Sequence, residues 1–205
     1  MARHLDYIND FLNRPGVEGP RQLRGYIPAR PGNFYGNANQ RPDTYTVIGV
    51  SGVTIATGCD LGQTDASTLQ AYGVPLAIIN QLRPYLGLKS SAAIAKLSAL
   101  PLTIAPDTAA LLDECVHAGY LLRYVEPAYN KASAVPFADL PKQAQAVVFS
   151  TCYQKGCGGV RRDWPRLWGY LTTQNWCAAS KELRTGFSQY KLRRKIEGGL
   201  LQELC

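Results

Sequence analysis

The chain changes character near residue 65, and that change constrains its fold more than any other feature. Before it, residues 4–13 form the one helical pattern, with Leu5, Ile8, Phe11 and Leu12 at helical spacing. "RPG" at 14–16 stops or kinks that helix. The stretch "VEGPRQLRGYIPARPGNFYGNANQRPD" is dense in Gly, Pro and Asn and reads as irregular structure with several turns. "TYTVIGV" and "GVTIATG" then read as two strands joined by a tight turn at Ser51-Gly52.

From residue 66 onward the pattern is helical. "DASTLQAYG" offers Asp65 or Ser67 as a cap, and Ser90 caps "SSAAIAKLSAL". "APDTAALLDECVHAGYLLRYVEPAYNKA" is the longest periodic run, with Leu112, Cys115, Val116, Gly119 and Leu122 on one stripe and a kink expected at Pro127. "LPKQAQAVVFSTCYQKG" places Pro141 in a first turn and lines Ala144, Val147, Val148 and Thr151 on one face. "DWPRLWGYLTTQ", "NWCAASKELRTG" and "YKLRRKIEGGLLQEL" complete a helical bundle. The expected fold class is α+β, mostly α. It is read as one domain over 1–205 with a small lobe (1–65, helix and hairpin) and a helical lobe (66–205).

Composition sets the outer bounds. An apolar fraction of 46% over 205 residues suffices for a buried core. The net charge of +7 favours anionic polymers such as nucleic acid, anionic lipid or bacterial wall, without choosing among them. No window reaches the ~18 uninterrupted apolar residues of a membrane span. Asp6, Asn9 and Asp10 interrupt what would be the apolar region of a secretory signal, so the chain is expected to be made in the cytoplasm without one. Six cysteines show no CxxC spacing, and His4 and His117, the only histidines, lie near no zinc-like cluster. No metal or cofactor is expected. The cysteines read as free, buried thiols, with a Cys152–Cys157 bridge left open for an oxidising compartment.

Two acids lie in the glycine-rich part of the small lobe. Glu18 precedes Gly19, and Asp60 follows the hairpin between Gly58 and Gly62. Carboxylates beside glycines can be approached closely by a ligand. A protonated acid to assist a leaving group, and an ionised one to activate water, is the equipment for cutting a glycosidic bond. Thr54, six residues before Asp60, can hold a water between its hydroxyl and that carboxylate. On spacing alone, solvated loop acids and an ordinary strand threonine account for the same residues.

"VEGPRQLRGYIP" followed by "SGVTIATGCDLGQ" resembles the catalytic segment of phage-type lysozymes, and more closely the pesticin-type bacterial toxin domain. A Glu-Gly pair closes the first helix, a Gly-Tyr-x-Pro turn follows at Gly25–Pro28, and a Thr-Ile-x-x-Gly-x-Asp-x-Gly run closes the hairpin. Pro28 stands where phage lysozymes have their second acid, so Asp60 serves in its place, as in the pesticin type. Cys59 stands where they have a hairpin histidine. With no His in sequence reach to act as its base, a thiol nucleophile is set aside.

The resemblance covers essentially the whole chain and implies a lysozyme-like two-lobe fold. It implies Glu18 as general acid, Asp60 as second carboxylate and Thr54 as holder of the water, with Tyr26, Gly58, Gln63 and Arg194 as substrate contacts. Arginines of the terminal helix are implied near Glu18. The activity implied is that of a muramidase on the β-1,4 bond between N-acetylmuramic acid and N-acetylglucosamine; a water held by Thr54 opposite Glu18 gives inversion, whereas carboxyl groups only ~5 Å apart would give a retaining route. The partner is then peptidoglycan, the chain a monomer, and an immunity or inhibitor protein a further partner. Action on the bacterial wall follows holin release or delivery by a secretion system, as an endolysin or a toxin effector. The rival readings are an inert lysozyme-like binding domain and a basic nucleic-acid binder. No helix here has the basic face or recognised module of the second.

Overall fold

The structure is a computed structural model that describes residues 3–205. The fold is α+β and mostly helical. Along the chain, α1 (Leu5–Leu12) is followed by β1 (Gln22–Tyr26), β2 (Ala29–Arg30), β3 (Thr46–Val47), β4 (Thr54–Ala56) and β5 (Cys59–Asp60). Then come α2 (Ala66–Ala71), α3 (Leu76–Leu82), α4 (Ser90–Ala99), α5 (Pro106–Tyr120), α6 (Glu126–Ala132) and α7 (Lys142–Lys155). The last four helices are α8 (Cys157–Asp163), α9 (Pro165–Thr172), α10 (Trp176–Thr185) and α11 (Lys191–Gln202). No described helix is long and apolar enough to cross a membrane.

Contacts gather the chain into two compact units. One runs up to Gly19 and resumes over Tyr120–Cys205; the other is Pro20–Gly119. The border expected at residue 65 therefore falls inside the second unit. The reason is packing: α1 buries Ile8, Phe11 and Leu12 in the same core as α7. Each such side chain contributes roughly 1.5–3 kcal/mol on burial, which is enough to attach an eight-residue helix that is marginal alone.

The first unit is built around α7, whose residues Ala144 to Cys152 are all buried. A helix buried on every side is a central helix. Its polar Ser150, Gln145 and Thr151 are each hydrogen bonded, as buried groups must be. The expected kink at Pro127 is instead a π-type turn at Leu121–Val125, after which Pro127 sits in the first turn of α6, where it sacrifices no helical bond. Pro141 is the N-cap of α7 rather than a first-turn residue. α8 was not foreseen, because Gly158 and Gly159 hide its pattern. Cys177 and Cys205 form a disulfide between the start of α10 and the chain end, with Cα atoms 5.3 Å apart. Those two thiols were expected to be free; the close packing of α10 on α11 brings them together. Cys59, Cys115, Cys152 and Cys157 are free.

The second unit holds the sheet. β1, β4 and β5 form an antiparallel three-stranded sheet in that order, and β2 pairs with β3 separately. The expected hairpin between 44–50 and 52–58 does not form. The tight turn lies at Thr57-Gly58, where Gly58 takes a φ of +78° that favours glycine, and it joins β4 to β5. Gly52 runs on instead of turning. A Cβ there would stand 2.5 Å from the Gly62 Cα and 2.4 Å from the Leu88 carbonyl oxygen, so only glycine allows these backbones to meet. Asp65 is the cap of α2, accepting from the Thr68 amide at 2.7 Å. Ser90 opens α4 rather than capping it.

Candidate active site

In the first unit, α1 ends at Leu12 and the chain turns back so that the amides of Glu18 and Gly19 both donate to the Leu12 carbonyl. This fixes the Glu18 backbone against the helix end. The side chain, 19% exposed, accepts from Arg193 Nη1 at 2.5 Å. Arg193 is held from the other side by Glu197 Oε1 at 3.1 Å, and its Nη2 donates to the Ser150 carbonyl and hydroxyl at 2.9 and 2.8 Å. Ser150 Oγ donates to Glu197 at 2.6 Å, and Arg194 pairs with the same carboxylate at 2.7 Å. Two carboxylates and two guanidiniums thus form a charge-balanced set around the end of α1 and the middle of α7, hydrogen bonded at Arg193 and joined to Arg194 by the ion pair alone.

The two arginines respond to this setting in opposite ways. Burial pushes the Arg193 guanidinium down, but the charges of Glu18 and Glu197 outweigh it and hold the group above its ordinary value. At Arg194 burial prevails over Glu197, and the guanidinium lies below its ordinary value. Arg194 was expected to contact substrate. It is instead 1% exposed, lies over the Trp164 and Phe187 rings at 4.9 and 5.6 Å, and donates to Gln154. Arg193 is the arginine that touches Glu18.

In the second unit the remaining residues converge on the sheet. Tyr26 pairs with Thr54, and Thr54 with Asp60, so the three stand in one row across β1, β4 and β5. Partners opposite one another share a face, with Cβ atoms about 4.5–5.5 Å apart. The Thr54 hydroxyl and the Asp60 carboxylate therefore belong to one side of the sheet and are suited to hold a water. Asp60 Oδ1 accepts from the amides of Gly52 (3.0 Å) and Gly62 (2.9 Å), which ties the carboxylate to the glycine contact described above. Burial raises the Asp60 carboxyl above the usual range, against the two amides, Lys89 and Gln63, which favour the charged form. Gln63 also donates to the Val50 carbonyl at 2.9 Å. Gly58 forms the turn beyond Thr54. Cys59 is buried, and burial with the charges of Asp113 and Asp60 pushes its thiol up to about 12, which leaves no thiolate for nucleophilic chemistry.

Sequence reasoning missed two supports. Asp113, 2% exposed on α5, accepts from the Thr57 amide at 2.8 Å, the Thr57 hydroxyl at 2.7 Å and Arg21 Nε at 2.7 Å. It pins the turn that carries Thr54 and Asp60. An acid next to Leu112 on an apolar stripe was the available signal. Glu197 was the other, spaced four residues from Arg193 and three from Arg194, which are helix-neighbour positions.

The family model for pesticin, described as the C-terminal bacterial toxin homologue of phage lysozyme, matches residues 8–177. The chain belongs to this family. Its fold is accordingly lysozyme-like, and at the level of the family it is a glycoside hydrolase of the lysozyme kind. No curated protein matched the chain. The matched residues include Glu18, Tyr26, Thr54, Gly58, Asp60 and Gln63, whereas Arg193, Arg194 and Glu197 follow the match.

Proposed function

We propose that the chain is a muramidase that hydrolyses the β-1,4 bond between N-acetylmuramic acid and N-acetylglucosamine in peptidoglycan, with inversion. The observation that carries this reading is the fixed carboxylate of Glu18 at the end of α1, held at 2.5 Å by an arginine that is itself bonded to Glu197 and Ser150. In this mechanism Glu18 protonates the departing glycosidic oxygen. Asp60 accepts a proton from a water that the Thr54 hydroxyl helps to hold, and that water attacks the anomeric carbon. The raised Asp60 carboxyl makes it a better base than a solvent-exposed aspartate. Tyr26, Gly58 and Gln63, in or beside the same strands, contact the glycan. The chain acts on the bacterial wall as a monomer, and an immunity or inhibitor protein is a fitting partner.

Product analysis tests the bond and its stereochemistry. Digested peptidoglycan should carry muramic acid at the new reducing end, and that end should first appear in the α configuration. Glucosamine at the reducing end, or an initial β product, would overturn the corresponding part.

A further inference from the structure

The basic run "YKLRRK" at 190–195 is only half used by the site. Its arginines, Arg193 and Arg194, are buried and spent on Glu18 and Glu197. Its lysines, Lys191 and Lys195, are exposed and lie four residues apart on one side of α11. They front a hollow of about 540 Å³ with Arg184, Thr185, Ser188, Leu183 and Gly186-Phe187. No acid lines it. Glu182, behind Gly186, is paired with Arg166 at 3.1 Å. Arg184 spends one N–H on Gln202, and the Thr185 hydroxyl is donated to the Lys181 carbonyl. The anion donors left at the hollow are therefore the rest of the Arg184 fork, two ammonium groups and the Ser188 hydroxyl.

We propose that this hollow is a second binding site, distinct from the hydrolytic one, for the phosphate groups of a phosphate-bearing polymer of the bacterial envelope. Three cations without a counter-acid call for more than the single charge of one carboxylate. Ammonium groups are compact point charges suited to phosphate oxygens, and Arg184 adds a planar fork. A polymer with repeated phosphates supplies the charge and, being long, holds the enzyme at its wall.

The test is calorimetric titration of the full chain with sodium tripolyphosphate, then with a purified polyol-phosphate polymer, at low salt. The hollow is emptied of charge by combining Arg184→Gln, Lys191→Gln and Lys195→Gln. A control of equal net charge combines Arg83→Gln, Lys131→Gln and Arg161→Gln. Wild type and control should bind both probes, and the hollow variant about tenfold or more weakly. Combining Lys191→Arg with Lys195→Arg should retain binding, which separates lost charge from lost fold. Equal weakening in the control, or no binding by wild type, overturns the site. Binding to phosphatidylglycerol vesicles but not to the polymer overturns the polymer as occupant. None of these readouts depends on hydrolysis, so this proposal and the muramidase reading fail separately.

Discussion

Glu18 and Asp60 are anchored by opposite kinds of donor, each in its own unit. Glu18 meets a guanidinium, and that guanidinium is bonded in turn to a fully buried glutamate and a serine on the central helix. Asp60 meets two backbone amides that reach it because Gly52 and Gly62 touch. The first arrangement is electrostatic and continuous with the core. The second is conformational, and the charge it holds is opposed by burial. A network of side chains in the first unit supports the fold as well as a site. The amide cradle of the second favours the carboxylate's charge but does not fully offset the burial that opposes it.

The largest expected effect strikes the first arrangement. Glu197→Gln leaves Arg193 and Arg194 buried with their shared counter-charge gone, and should destabilise by about 3–5 kcal/mol. Chemical denaturation measures it, and a loss under 1 kcal/mol would show that the network is not part of the fold's support.

Asp60→Asn should behave in the reverse manner. Hydrolysis should fall by about 10²–10⁴, while stability at neutral pH holds or rises. The folded Asp60 carboxyl lies above its unfolded value, so its stabilising contribution is complete below the ordinary aspartate range and is lost as pH rises through the folded value. At neutral pH wild type therefore carries a cost that asparagine lacks, and the difference should shrink toward pH 3. Thermal melts across that range would contradict the comparison if the variant were least stable at pH 7. The acid limb of the wild-type rate profile should likewise lie above the ordinary aspartate range. Thr54→Ala, which removes a water-holding hydroxyl but no charge, should cost between about tenfold and 1000-fold in turnover with little change in melting.

The same contrast explains what could be read in advance. The helices of the first unit were legible because their apolar spacing is local, and α8 was lost where glycines erased it. β3 and β4 fall inside the two stretches read as strands, but their pairing was misread because Gly52 has turn chemistry, yet its role is a long-range contact with Gly62 and Leu88. Glu18, Thr54 and Asp60 stood out as motif residues. The choice of Arg193 over Arg194 depends on the direction each side chain takes from α11, one toward Glu18 and one toward Trp164. Consecutive helix residues diverge by about 100°, and only packing decides which of them meets the acid. Asp113 went unread for a similar reason: its partner Thr57 is 56 residues away.

The most direct test is release of reducing sugar from purified peptidoglycan by wild type and Glu18→Gln side by side, with melting curves for both. Release by wild type alone, from two equally folded proteins, is the predicted result. Equal release by the variant would contradict Glu18 as the acid, and no release by either would contradict the hydrolase itself.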